Sequence, residues 1–210
     1  MRTKDKAKIQ ALIKTRKAQI LDAAMLVFSR DGFNKASTDE IANVAKLGKG
    51  TVYRYFKDKK ELFIATVDRG LDRLKDSILA KVDGIDDPLE RIEAGSKAYL
   101  TFFGKNPALI DMMIHEQSEF KERIKKQYFE HYYGSIDRMR RIFRKGITGG
   151  LIKNVDVDTA ISILTNILNG QIYMWRVEGK KGFPEDKISV ILKIFFTGVI
   201  KDEKRRQKYE

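Results

Sequence analysis

The stretch from Lys49 to Phe56 carries side chains that suit contact with nucleic acid. Lys and Arg bind phosphates and guanine edges, Thr offers a hydroxyl and a methyl group, and Tyr offers a hydroxyl on a flat ring. If Val52 and Phe56 anchor this stretch as a helix, the other long side chains point largely outward. These are Lys49, Thr51, Tyr53, Arg54 and Tyr55. Such a helix is suited to the major groove of DNA; the alternative is a solvated face with two chance tyrosines.

Capping signals frame this helix on both sides. Ser37 is followed three residues later by Glu40, a capping box that predicts a helix start. Residues 46–48 then form a turn before the helix at Lys49. A second capping box, formed by Asp58 and Glu61, opens the next helix. The pattern therefore predicts a helix-turn-helix with a longer helix behind it.

The same stretch resembles the DNA-binding domain of TetR-family transcriptional regulators, over roughly residues 16–62. The matching positions are Ser37, Ile41, Ala42, Ala45, Lys46, Leu47, Gly48, Gly50, Thr51, Val52, Tyr53, Tyr55, Phe56, Lys59 and Leu62. The resemblance implies an all-α homodimer that binds a double-stranded DNA operator and releases it when a small molecule binds the second domain. It also implies that Lys59 contacts phosphate. The candidate DNA-binding residues are Thr38, Lys49, Gly50, Thr51, Tyr53, Arg54, Tyr55 and Lys59.

Two residues of the turn depart from the family pattern. Lys46 stands where a Gly is usual, and Gly48 stands where a Ser is usual. A turn Gly commonly marks a positive φ, which costs another residue roughly 1 kcal/mol. Either Lys46 accepts this strain, or Gly48 lets the turn take a different path.

Charge supports a nucleic-acid partner for the N-terminal part. The 210-residue chain has a formal net charge of +13. Residues 1–60 hold 15 Lys and Arg against 6 Asp and Glu, whereas the remaining residues hold 27 against 23. A basic excess on the segment with the helix-turn-helix is the electrostatic footprint expected for DNA binding. An anionic membrane surface is the rival partner.

Periodicity predicts an all-α chain of about nine helices. The expected division is a three-helix DNA-binding domain at 1–62 and a helical effector-binding and dimerisation domain at 63–210. Helix 1 is expected at 16–30, preceded by a basic segment that is either a frayed arm or an extension of it. Helix 4 is expected at 58–81, and later helices at 87–104, 107–116, 119–145, 156–177 and 184–201.

The second domain is rich in aromatic and Met residues. They could line an apolar cavity with a few polar handles, or they could simply fill the core. The candidate effector-binding residues are Phe102, Phe103, Met113, His115, Tyr132, Asn169 and Tyr173. We expect a hydrophobic effector. The last two helices are apolar around most of their circumference, which predicts an intersubunit four-helix bundle with interface residues Ile167, Ile191 and Phe195.

The sequence predicts no catalytic site, cofactor or metal. His115 and His131 lack a partner at metal-ligand spacing. Zero Cys suits a reducing cytoplasm, and no apolar run is long enough for a membrane span. We expect a cytoplasmic regulator rather than an enzyme. The alternative is a non-specific nucleoid-associated or membrane-surface protein without an effector.

Overall fold

A computed structural model describes residues 3–115, 136–179 and 185–200, and these residues are all-α. The helices are α1 (Thr3–Lys35), α2 (Thr38–Val44), α3 (Lys49–Tyr55), α4 (Lys59–Val82), α5 (Pro88–Lys105), α6 (Pro107–His115), α7 (136–148 of the described part), α8 (Val157–Val177) and α9 (Glu185–Val199). One isolated antiparallel bridge joins Ile152 to Ile200.

Helix α1 is much longer than its predicted 16–30. It takes in the basic N-terminal segment, so the expected alternative of a helix extension is confirmed from Thr3 onward. Between Thr3 and Asp31 there is neither Pro nor Gly, the two residues that most disfavour a helix. The helix kinks at Gly32, where φ is +69°, a value that Gly adopts without steric cost.

The starts of α2 and α4 follow the predicted caps. The hydroxyl of Ser37 accepts a hydrogen bond of 3.1 Å from the backbone N–H of Asp39. The carboxylate of Asp58 accepts one of 2.7 Å from the N–H of Glu61, and the Glu61 carboxylate accepts one of 2.6 Å from the N–H of Lys57. These bonds satisfy N–H groups that have no partner inside the helix.

The starts of α5 and α8 are capped in the same way. Asp87 accepts bonds of 2.9 and 3.1 Å from the N–H groups of Leu89 and Glu90. Asp156 accepts one of 2.8 Å from the N–H of Thr159, and its hydrogen bonds with Thr159 lower the pKa of Asp156. Asp87 was predicted as a helix start, and this is confirmed. For α8 the sequence left Asp156 and Asp158 as alternatives, and the structure shows Asp156 as the cap.

The described residues divide into two compact units. The N-terminal unit comprises 3–71 and 108–115, and the C-terminal unit comprises 72–107, 136–179 and 185–200. The N-terminal unit is built on three aromatic rings from α1 and α4. Phe63 meets Phe28 and Phe33 edge-on, with ring centroids 4.9 and 5.6 Å apart. Edge-to-face pairs at these distances are favourable beyond their burial.

In the C-terminal unit, α5 packs against α8 and α9. The hydroxyl of Tyr99 on α5 donates a hydrogen bond to the side-chain oxygen of Asn169 on α8. The ring of Phe143 on α7 lies 6.4 Å from that of Phe195 on α9, in an edge-on arrangement. The unit is therefore held by apolar packing with a polar link between α5 and α8.

The turn between α2 and α3 resolves the alternatives left open by the sequence. Lys46 has a φ of +53°, and no other described residue except Gly has a positive φ. Gly48 is extended, with a φ of −72°. Lys46 therefore accepts the strain, and the side-chain amide of Gln19 on α1 donates a 2.6 Å hydrogen bond to the carbonyl of Ala45 beside it.

Replacing Lys46 should reveal this strain. Lys46→Gly should stabilise the protein by roughly 0.5–1 kcal/mol, because Gly adopts a positive φ without the Cβ clash. Urea unfolding followed by circular dichroism measures the change. Lys46→Ala is the matched control, since it removes the same charge but keeps a Cβ, and it should give no such gain. Equal stabilisation by both variants would attribute the effect to charge.

Candidate nucleic-acid interface

Helix α3 presents most of its side chains away from the core. Val52 and Phe56 are 1% and 5% exposed, so the predicted anchoring from one side is confirmed. Lys49, Gly50, Tyr53 and Arg54 are exposed, whereas Thr51 and Tyr55 are half-buried. The outward surface thus combines two cations, two Tyr hydroxyls and a Thr, which are groups that bind phosphates and base edges.

Two polar contacts join α3 to α2. The ammonium of Lys49 lies 2.8 Å from a carboxylate oxygen of Asp39, and the hydrogen bond that it donates there raises the pKa of Lys49. The hydroxyls of Thr38 and Tyr53 are 3.0 Å apart. These contacts orient three of the candidate DNA-binding side chains, Thr38, Lys49 and Tyr53. Sequence reasoning missed Asp39 because nothing local links it to a Lys ten residues later.

Arg54 is the cation of α3 that makes no ion pair in the part of the chain that the structure describes. Its guanidinium carbon lies 5.5 Å from the centre of the Tyr55 ring. An Arg stacked on an aromatic ring keeps its planar fork of donors available. Gly50 lies four residues before Arg54 and is also exposed. A Cβ built on Gly50 would meet no described atom within 4 Å. Packing therefore does not require Gly at this position, which leaves close approach to DNA as its candidate role.

Lys59 is held by the protein itself. Its half-buried side chain donates hydrogen bonds to the carbonyls of Asn34 and Ala36, at 3.2 and 3.1 Å. Its ammonium also lies 4.5 Å from the centre of the Phe33 ring. Two of its three N–H donors thus hold the connection between α1 and α2. A phosphate contact by the third donor stays a prediction.

An ionic cluster lies between the end of α1 and α2. Arg30 forms ion pairs with Asp31 and Glu40. Its hydrogen bonds with Asp31 and Glu40 raise the pKa of Arg30, and the hydrogen bond from Arg30 lowers the pKa of Asp31. Glu40 was expected to form a capping box with Ser37, but its carboxylate instead forms an ion pair with Arg30 on α1. Exposed pairs of this kind contribute little to stability, so the cluster links α1 to α2 without adding much to the stability of the unit.

The candidate effector residues do not share one environment. Phe102 and Phe103 are buried, Met113 and Asn169 are half-buried, and Tyr173 is 46% exposed. Tyr132 and His131 lie outside the described residues, as does the side chain of His115. Asn169 accepts a hydrogen bond from Tyr99. Effector binding by these residues stays a prediction.

Two of the three candidate interface residues face inward. Ile191 and Phe195 are 8% and 6% exposed within the single chain, and Ile167 is half-buried. The apolar positions that α8 and α9 expose are neighbours of these. They are Ile163, Met174, Val177, Val190 and Ile194. A helix that is apolar all round does not reveal which side faces its own core, and a place for these three residues at a subunit interface stays a prediction.

Within the described ranges, no three His, Cys, Asp or Glu residues are grouped as a metal site would require. None of the described helices is long and apolar enough to cross a membrane.

Comparison with known proteins agrees with this geometry. Residues 20–66 match the family described as bacterial regulatory proteins, tetR family. The transcriptional regulator HbdR from Aromatoleum sp. (strain CIB) is 33% identical over 81 residues, or 39% of this chain and 35% of that protein. The uncharacterised regulator YhgD from Bacillus subtilis (strain 168) is 27% identical over 180 residues, or 83% of this chain and 90% of that protein.

The fold agrees with solved structures as well. One of them is the regulator FadR from Bacillus subtilis, whose crystal structure was determined in complex with stearoyl-CoA. It aligns with this chain with a TM-score of 0.76 at 20% sequence identity, and the alignment covers 86% of this chain and 98% of the FadR chain. These similar proteins are transcriptional regulators and not enzymes. The family match includes α2, α3 and the start of α4, the elements that form the candidate interface.

Arg54→Ala should lose affinity selectively. It should weaken binding to the preferred DNA by about 1–3 kcal/mol and relax preference at one base pair, because the Arg fork suits the O6/N7 edge of guanine. Binding is measured on that DNA and on a scrambled sequence at several salt concentrations. Lys57→Ala, which removes a neighbouring exposed charge, should give a similar small loss on both. If Arg54→Ala lost equal affinity on the preferred and the scrambled DNA, Lys49, Thr51 and Tyr55 would remain as the candidate base-reading residues.

Lys59→Met should lower stability as well as affinity. The change keeps an apolar stem but removes two hydrogen bonds to backbone carbonyls, at an expected cost of about 1–3 kcal/mol. Urea unfolding measures this cost. If Lys59 also meets a phosphate, affinity for all sequences falls and the slope of log K against log salt flattens by roughly 1. An unchanged unfolding midpoint would show that the carbonyl contacts do not matter.

Proposed function

We propose that this chain, a TetR-family DNA-binding transcriptional regulator, is a repressor that occupies a near-palindromic operator as a homodimer. A small hydrophobic effector releases it from the DNA. The observation that carries the proposal is helix α3, whose exposed face holds Lys49, Tyr53 and Arg54 while Val52 and Phe56 are buried beneath them. Residues 1–62 bind DNA, and residues 63–210 bind the effector and dimerise.

Operator symmetry follows from the dimer. Two copies of α3 related by a two-fold axis read two half-sites, and successive major grooves are about 34–36 Å apart. An operator of this kind is an inverted repeat. The cations of the N-terminal unit supply the sequence-independent part of the affinity through phosphate contacts. Repression of this kind takes place in the cytoplasm, where the bacterial chromosome is found.

The exposed apolar residues of α8 and α9 support dimerisation through these two helices. On α8, Ile163, Ile167, Met174 and Val177 follow the spacing of one helical face. On α9, Val190 and Ile194 are 56% and 68% exposed and stand four residues apart. Large apolar side chains grouped in this way mark protein contact surfaces, and pairing the two helices with their copies forms a four-helix bundle.

The effector is proposed to be an acyl compound or a similarly apolar molecule. The fold is that of FadR from Bacillus subtilis, which was crystallised with stearoyl-CoA. In this chain, Tyr99, Phe102 and Phe103 form a run of edge-on aromatic pairs with centroids 5.0 and 5.7 Å apart. The Tyr99–Asn169 hydrogen bond offers a polar group beside them. Binding there would tilt α4 and change the spacing of the two α3 helices.

One experiment tests the repressor proposal directly. The purified protein is incubated with fragmented genomic DNA from its own organism, and bound fragments are sequenced. A few enriched fragments that share an inverted repeat are expected, and long-chain acyl-CoA should release them, since the two binding sites are linked. Enrichment without a common sequence, with affinity that depends only on salt, would instead support a non-specific nucleoid-associated protein.

Ile194→Asp should give monomers. A buried, unpaired carboxylate at the dimer interface costs several kcal/mol, so the dimer dissociation constant should rise by roughly two orders of magnitude. Analytical ultracentrifugation measures it, with circular dichroism to check folding. Ser189→Asp is the control, because it adds the same charge about 100° around α9 from Val190. An unchanged dimer for Ile194→Asp would exclude this face as the interface.

A further inference from the structure

The C-terminal unit contains a cleft that neither DNA nor an apolar acyl chain explains. Its volume is about 250 Å³, and it lies between the start of α5, the preceding connection and α7. It is lined by Asp86, Pro88, Arg91, Arg138, Arg141, Ile142 and Lys145. Four of the seven residues are cations and one is an anion, so the cleft carries a surplus of three positive charges.

The cations are brought together by the helices. Arg138, Arg141 and Lys145 stand at spacings of three and four on α7, which puts them on one face. Across from them, Arg91 on α5 donates a 3.3 Å hydrogen bond to the carbonyl of Ile85. Lys145 donates one of 2.9 Å to the carbonyl of Asp86. Arg91 and Lys145 therefore both hydrogen-bond to the connection before α5, and these bonds fix their positions at the cleft.

Charged groups around the cleft are incompletely paired within the described ranges. The Nε–H of Arg91 is buried and has no hydrogen-bond partner among the residues that the structure describes. Arg138 and Arg141 make no ion pair within the described ranges, whereas Arg140 between them pairs with Asp137 and Asp158. A buried donor without a partner costs free energy, and like charges that converge repel one another. An anion in the cleft would relieve both costs.

We propose that this cleft binds a phosphate group, either as a free phosphate or diphosphate ion or as part of a small phosphorylated molecule. Arg forks recognise phosphate through paired hydrogen bonds. A dianion neutralises more of the surplus charge than a single carboxylate does. The volume is below the 300–1,000 Å³ or so typical of drug-sized ligand pockets, which suits one or two phosphate groups. The helix start of α5 is not the source of the site, because Asp87 already caps its N–H groups.

Calorimetric titration of the full chain with sodium pyrophosphate and with inorganic phosphate, at matched ionic strength, tests the proposal. Saturable binding of one ion per chain is expected. The ion that binds more tightly shows whether the cleft suits one phosphate group or two. The double variant Arg138→Gln/Arg141→Gln should weaken binding by about tenfold or more, since each charged hydrogen bond is worth about that much. Arg144→Gln, which removes an exposed charge of α7 outside the cleft, should change the affinity less than about twofold.

Three results would overturn the proposal. The first is the absence of saturable binding to the wild-type chain up to millimolar ion. The second is equal weakening by Arg144→Gln, which would indicate general charge attraction. The third is equally tight binding of succinate, which would make the site one for dicarboxylates. Wild-type titrations do not depend on the folding of any variant, and none of these results bears on the DNA-binding proposal.

Discussion

A helix of seven residues is not stable in water without packing, and the proposed function depends on how α3 is held. Val52 of α3 and Phe56, the C-cap residue directly after it, provide that packing because both side chains are buried. The turn before α3 keeps its path only because Lys46 accepts a positive φ. Val52 and Phe56 belong to the N-terminal unit, which is built on the packed rings of Phe28, Phe33 and Phe63.

The polar contacts of α3 have a consequence for DNA binding. Lys49 and Asp39 are both more than half exposed, so their ion pair adds little to stability. A phosphate that approaches α3 would compete with Asp39 for the Lys49 ammonium. Arg54 has no such internal partner in the described structure and would meet DNA without first breaking an ion pair. We therefore infer that Lys49 contributes less to affinity than its position suggests, and Arg54 more.

What could be predicted from the sequence was local. The starts at Ser37, Asp87 and Asp156 were predictable because a cap and the N–H groups it satisfies lie within four residues. The route of the turn was not, because a strained Lys46 and a rearranged Gly48 differ by only about 1 kcal/mol. The bonds of Lys59 to Asn34 and Ala36 were also missed, since they join residues more than twenty positions apart. The inward side of α9 depends on packing against α5 and α7, which periodicity does not reveal.

Helix α3 is proposed to read base edges in the major groove. Methylation protection on an isolated operator tests this proposal most directly, because dimethyl sulfate attacks guanine N7, an atom of the major groove. If α3 lies in the major groove, two clusters of guanines about one helical turn, roughly 10 base pairs, apart should be protected. Replacing Arg54 by Ala should remove protection at one guanine in each cluster. Saturated binding that leaves every guanine N7 reactive would contradict the account.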